Sequence, residues 1–197
     1  MRRLICALAM MLLACQAQAF DLHELSMQMA KPAVVRGPFI QEKHLRALPL
    51  PLTSQGTFVL ARDAGLLWLL KTPLQQDYRI TAQGIARRDP SGWQMLPERN
   101  AGSEQNRLFF SVLQGDTSAL ERDFELQLEG DSRHWQLRLV PRSLLLKQIF
   151  TQIRISGGQY VERIELSETQ GDSTVLRMPD SSSGAALTDA EHHDFAQ

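Results

Sequence analysis

The chain has 197 residues, 43% of them apolar, and a formal net charge of −1, enough for one domain with a sizeable core. That balance leaves no electrostatic footprint for nucleic acid. Both cysteines, Cys6 and Cys15, fall within the first nineteen residues, so a chain without that stretch could form neither a disulfide nor a cysteine-ligated metal site.

Residues 1–19 read as an export signal. Arg2 and Arg3 give a positive start, Leu4 to Ala14 an apolar run, and Ala17-Gln18-Ala19 a cleavage site before Phe20. The run is too short for a membrane span of roughly 20 residues. A periplasmic product is expected, and loss of Arg2 and Arg3 takes its formal charge to −3. Leu12-Leu13-Ala14-Cys15 also resembles a lipobox, so acylation of Cys15 is the alternative.

Leu22, Leu25 and Met29 have helical spacing, with Asp21 as cap and Pro32 as stop. Phe39 to Leu45 reads as a first strand, and the two prolines between Ala47 and Leu52 as a turn. Strands follow over Gly56–Arg62, Leu66–Lys71, Asp77–Thr81, Ile85–Arg88 and Trp93–Leu96, separated by Asp63-Ala64-Gly65, Gln83-Gly84 and Asp89 to Gly92. Leu108, Phe109, Val112 and Leu113 are spaced as a helix, and Ser118–Arg122 as a second helical turn. Phe124–Glu129 and His134–Val140 alternate again. Ser143–Gln148 fits either state. Ile149–Ser156, Tyr160–Leu166 and Thr174–Met178 close the chain as strands, and residues 180–197 read as a polar, flexible tail. Ten or eleven short strands with a few helices predict a mainly β, antiparallel fold that curls, its helices on the concave side.

Residues 66–70, LLWLL, do not alternate. Period two puts Phe58, Leu60 and Arg62 on one face of their strand, and separates Leu66, Trp68 and Leu70 from Leu67 and Leu69 on the next. Surplus apolar surface fits a cavity with Arg62 at its edge, able to hold a polar group or a helix backbone. It equally fits a strand buried on both sides, with Arg62 as a solvated edge residue. Both readings stand at this point.

Catalytic patterns are lacking: Ser143, Ser156 and Ser167 have no G-x-S-x-G context, and no H-E-x-x-H spacing occurs. His192-His193-Asp194 reads as a solvated terminus. A non-enzyme without cofactor or metal is expected.

The order of signals is more specific than any one of them. Phe39-x-Gln41-x-Lys43, Gly56-x-Phe58-x-Leu60-x-Arg62, Leu67-Trp68, Pro73, Trp135 to Pro141, and Gly171-Asp172 to Met178-Pro179 follow a short helix. This resembles the periplasmic lipoprotein carrier family, LolA and its LolA-like relatives, over residues 20–179. The resemblance implies an unclosed antiparallel β-barrel of about eleven strands, with helices as a lid over a hydrophobic cavity. It implies an acylated lipoprotein as cargo, an inner-membrane ABC-type exporter as donor, an outer-membrane acceptor, and a monomer. It makes Arg62 the arginine that holds the lid closed, puts Phe58, Leu60, Leu67 and Trp68 on cargo-facing strands, and gives Leu108, Phe109 and Val112 to the lid. Asp63 stands where the family has proline, Gln83-Gly84 where Asp-Gly is expected, and Ile85-Ala86 where aromatics are usual; Leu48-Pro-Leu-Pro-Leu52 is also atypical. These departures mark a divergent member, with a glycolipid or polyene lipid as alternative cargo and a lipoprotein-binding sensor domain as alternative role.

Overall fold

The computed structural model describes residues 20–97, 113–115 and 117–196. Helix α1 (Leu22–Ala30) begins where the Asp21 carboxylate accepts from the Glu24 N–H at 2.8 Å, and it buries Leu25 and Met29, one turn apart on one face. The strands are β1 (Val34–His44), β2 (Leu52–Ala61), β3 (Gly65–Thr72), β4 (Gln76–Thr81), β5 (Gly84–Asp89) and β6 (Gly92–Met95). A helix α2 (Thr117–Asp123) leads to β7 (Phe124–Asp131) and β8 (His134–Pro141). Then come α3 (Leu144–Ile149), β9 (Phe150–Gly157), β10 (Val161–Glu168), β11 (Ser173–Arg177), β12 (Ser182–Gly184) and α4 (Asp189–Ala196).

All pairings are antiparallel, in the order β6-β5-β4-β3-β2-β1-β11-β10-β9-β8-β7, with β12 added beside the start of β1. The edge strands β6 and β7 do not pair with each other, so the sheet is unclosed. The central strand β1 starts at Val34, five residues before the expected Phe39, because both β2 and β12 pair with its first residues. The segment that fitted either state is α3, started by the Ser143 hydroxyl accepting from the Leu146 N–H.

Alternating residues build one large core on the concave face: Val35 and Phe39, Phe58 and Leu60, Leu66 and Trp68, Leu137 and Leu139, Ile153 and Ile155. Phe39 stacks on Trp68 with ring centroids 3.8 Å apart. It reaches there by lying across Gly56, where a Cβ would stand 2.8 Å from the Phe39 ring and 2.1 Å from the Leu69 carbonyl oxygen.

The convex face divides in two. Across β9, β10, β11 and β1 it carries ion pairs such as Arg154–Glu165 and Arg177–Glu42. Across β1, β2 and β3 it buries a second cluster, Val34, Val59, Ala61 and Leu67, packed against Trp93, Leu187 and Phe195. Here the expectation of a flexible tail is corrected. Residues 182–184 pair with β1, and α4 lies over the second cluster. Polar contacts fix it: Arg36 pairs with Glu191 at 2.8 Å, Arg79 donates to the Asp194 carbonyl at 2.8 Å, and Arg88 contacts the Asp194 carboxylate. The LLWLL strand is therefore buried on both faces, by the lid side and by the C-terminal segment.

The Arg36–Glu191 clamp gives this segment a pH dependence. Burial pushes the Glu191 carboxyl up, but the Arg36 hydrogen bond, the Thr188 N–H and the Arg36 charge outweigh it and hold the group below its ordinary 4.5. A depressed carboxyl stabilises the folded form above its unfolded value, and that contribution is lost as pH falls through the folded value. Asp77, pushed up by burial with Asp194 adding to it against Arg88, acts in the opposite sense. Protection of the amides of 189–196 from exchange, taken relative to their intrinsic rate at each pH, is expected to fall as the pH drops below about 4.5. Glu191→Gln should show fast exchange at neutral pH and a flattened acid step; an unaltered step would assign it to other groups.

Candidate functional site

The concave face is closed by α1 and by Leu113. Between Met29, Val35, Phe58, Leu60, Leu113 and Val161 only about 10 Å³ of void remains, at the margin of what one water needs. The closed form has no room for an acyl chain among the described residues; admission of one requires the lid to move.

Among the described residues, three side chains tie α1 to the turns around it. Arg62, in the β2–β3 turn, donates from Nη2 to the Met29 carbonyl at 3.0 Å, at the last turn of α1. A cation there also complements the negative end of the helix dipole. The guanidinium bonds this carbonyl although Asp63 is its chain neighbour, and its Nε is buried without a partner. Gln28 donates from Nε2 to two turn carbonyls, Ser132 at 3.0 Å and Gly158 at 2.6 Å. Ser26 donates its hydroxyl to the Gly115 carbonyl at 2.8 Å. Trp135 donates from Nε1 to the same Gly158 carbonyl at 2.7 Å and so fixes the acceptor that Gln28 uses.

The structure sorts the sequence-derived site residues as follows. Phe58, Leu60 and Trp68 share the concave face under the lid, and Arg62 stands at its edge. Leu67 does not join them: it points to the convex face with Val59 and Ala61, beneath Phe195. The strand's period of two separates it from Trp68 whatever their adjacency in sequence. Leu108, Phe109 and Val112 lie outside the described residues. Sequence reasoning missed Ser26, Gln28 and Trp135. Their partners are main-chain carbonyls 23 to 130 positions away, which no local pattern encodes.

An open cleft of about 650 Å³ lies on the other side of this latch, the Arg62 bond to the Met29 carbonyl, between the β2–β3 turn and α4. Asp63, Gln83 and His192 line it beside Ala61 and Phe195. Its mixed, solvent-open walls do not make an acyl container.

The chain matches, over residues 14–195, the family described as outer membrane lipoprotein carrier protein LolA-like. Among solved structures, a chain in the complex of Pseudomonas aeruginosa MucA/MucB aligns with a TM-score of 0.53 at 15% identity, covering 89% of this chain and 60% of that one. The LolA superfamily protein NE2245 from Nitrosomonas europaea aligns with a TM-score of 0.47 at 12% identity, covering 90% and 97%. A putative outer membrane lipoprotein-sorting protein domain from Vibrio parahaemolyticus gives 0.45 at 11%, covering 88% and 95%. No curated protein matches.

Proposed function

The chain belongs to the outer membrane lipoprotein carrier protein LolA-like family, and on that premise we propose that it is a periplasmic carrier that shields the acyl chains of a lipoprotein on its concave face. The cargo would come from an inner-membrane exporter and go to an outer-membrane acceptor. The observation that carries this reading is the bond from Arg62 to the Met29 carbonyl over an apolar interior that, among the described residues, leaves only about 10 Å³ of void beneath α1. An acyl chain left in water costs about 0.8 kcal/mol per CH₂, so a crossing needs a closed apolar container, and loading needs a lid that opens cheaply. A few hydrogen bonds to turn carbonyls meet that second need. The chemistry of this reading is transfer without covalent change.

A sensor-like role, in which the chain binds a protein partner, is the second reading. It draws on the likeness to a chain from a two-protein complex, 60% of whose length this chain spans. Mass spectrometry of gently purified protein, intact and after organic extraction, separates the readings. Acylated peptides in the extract support the lipoprotein carrier. Free glycolipid or polyene lipid makes it a lipid shuttle. An empty extract with a co-purifying protein favours the sensor, and the intact mass tells a start at Phe20 from an acylated Cys15.

The lid bonds are not equal. Gln28→Ala removes one neutral donor shared between two carbonyls, and Trp135 still serves the Gly158 carbonyl. A neutral hydrogen bond nets about 0.5–1.5 kcal/mol. The variant is therefore expected to take up a fluorescent fatty-acyl probe about threefold more tightly. Unchanged uptake in titration would remove Gln28 from the lid's closure.

A further inference from the structure

Eight large hydrophobic side chains are exposed among the described residues, and six of them are leucines at one end of the sheet. Leu48 and Leu50 belong to the β1–β2 connection, Leu52 is the first residue of β2, Leu74 belongs to the β3–β4 turn, and Leu144 and Leu145 to α3. The register puts these segments together: Lys43 pairs with Leu52, Gln55 with Thr72, His44 with Ser173, and Phe150, which follows α3, with Glu168. Hydrogen bonds tie two of them, the β1–β2 connection and α3, through the β10–β11 turn. The Arg46 N–H donates to the Asp172 carboxylate at 2.8 Å, joining the β1–β2 connection to the β10–β11 turn. Thr169 in that turn donates from its N–H to the Ile149 carbonyl at 3.0 Å and from its hydroxyl to the Gln148 carbonyl at 2.7 Å, joining it to α3. Leu50, Leu74 and Leu144 are 75%, 77% and 80% exposed, and apolar groups gathered at one end of a sheet mark an interaction surface.

We infer that this leucine rim docks the protein on the surface of an anionic lipid bilayer. The charges agree with the apolar groups. The leucine-bearing segments 45–52, 71–75 and 142–149 carry Arg46, Lys71, Arg142 and Lys147 and not one carboxylate. The two nearby acids are engaged, Glu168 at the end of β10 near Lys43 at 4.0 Å and Asp172 of the β10–β11 turn with the Arg46 N–H. Leucines at turn tips enter the acyl boundary while flanking cations meet lipid phosphates. A protein-binding site would favour tryptophan, tyrosine and arginine anchors over leucine, and four cations per copy oppose a rim-to-rim dimer. The latch and α1 sit at the other end of the sheet, so docking leaves the lid uncovered.

Vesicle flotation tests this without any cargo, so its outcome is separate from that of the carrier reading. The purified protein is expected to float with vesicles of phosphatidylcholine containing roughly one-third phosphatidylglycerol, less at high salt, and poorly with phosphatidylcholine alone. The triple change Leu50→Ser, Leu74→Ser and Leu144→Ser should weaken flotation at least about tenfold. It should leave thermal unfolding unaltered, because all three side chains are exposed. Met95→Ser, a change at an exposed apolar side chain off the rim, should leave flotation as in the wild type. Flotation that is missing in the wild type, equal on neutral vesicles or indifferent to the triple change overturns the proposal. So does a leucine-dependent dimer in sedimentation without flotation, which would make the rim an interface between copies.

Discussion

Arg62→Leu is expected to bind a fluorescent acyl probe about tenfold more tightly than the wild type and to release it more slowly to acceptor membranes, with the fold intact. The Arg62 bond to the Met29 carbonyl exists only when α1 is closed. A hydrogen bond from a charged donor nets about 1.5–3 kcal/mol. Against it stands the unpartnered Nε, whose burial costs part of that gain. A net closing energy of roughly 1.4 kcal/mol, one factor of ten, is what remains. Probe binding requires the open form, so the closed form reduces apparent affinity by the fraction it occupies. Leucine keeps part of the apolar stem of arginine and none of its donors. Arg62→Lys retains the charge and an ammonium donor group but not the planar fork of arginine, and is expected to fall between the two. Equal affinity and release in all three proteins would show that Arg62 does not close the lid; unfolding of the leucine variant would give it a structural role instead.

Arg62 was legible because a strand of clean alternation, Gly56-x-Phe58-x-Leu60-x-Arg62, delivers it to the edge of the concave face, and because the family resemblance attached a role to that position. Its hydrogen-bond partner is a backbone carbonyl 33 positions earlier, chosen by how α1 lies and not by the identity of Met29. Gln28 and Ser26 were illegible for the same reason: a polar residue on a short helix reads as solvated until the turns it meets are known. Leu67 shows the converse. Period two already assigned it to the face opposite Trp68, and position in a shared motif did not override that geometry. The unbroken apolar run of β3 was ambiguous because what covers its second face is encoded in a segment with few apolar residues. Leu187 and Phe195 supply the contact, and Glu191 and Asp194 supply the anchoring by ion pair and backbone carbonyl. No periodicity announces a helix docked mainly through such groups. The alternation that fixed the rest of the sheet is a one-face signal, and it fails where both faces are buried.

Deleting residues 185–197 is expected to destabilise the protein by about 4 kcal/mol, a fall in Tm of roughly 10 °C for a chain of this size. The deletion uncovers Val34, Val59, Ala61 and Leu67 on the convex face, and each large side chain returned to water costs about 1.5–3 kcal/mol when exposure is complete. Trp93 and the sheet still shield part of that surface, which lowers the sum. Arg79, 8% exposed, also loses the Asp194 carbonyl, and Arg36 loses Glu191. The concave face is untouched: Phe58, Leu60 and Trp68 face away from α4, on the lid side. Acyl-probe affinity of the truncated protein, measured at a temperature where it remains folded, is therefore expected to equal that of the full chain. A truncated protein that melts with the full chain would show that α4 contributes no cover to LLWLL. One that stays folded but loses the probe would place cargo on the convex face, with Leu67 among its contacts after all. Retained affinity with lowered Tm would assign the two faces of one strand to two tasks, the inner to cargo and the outer to holding the sheet together.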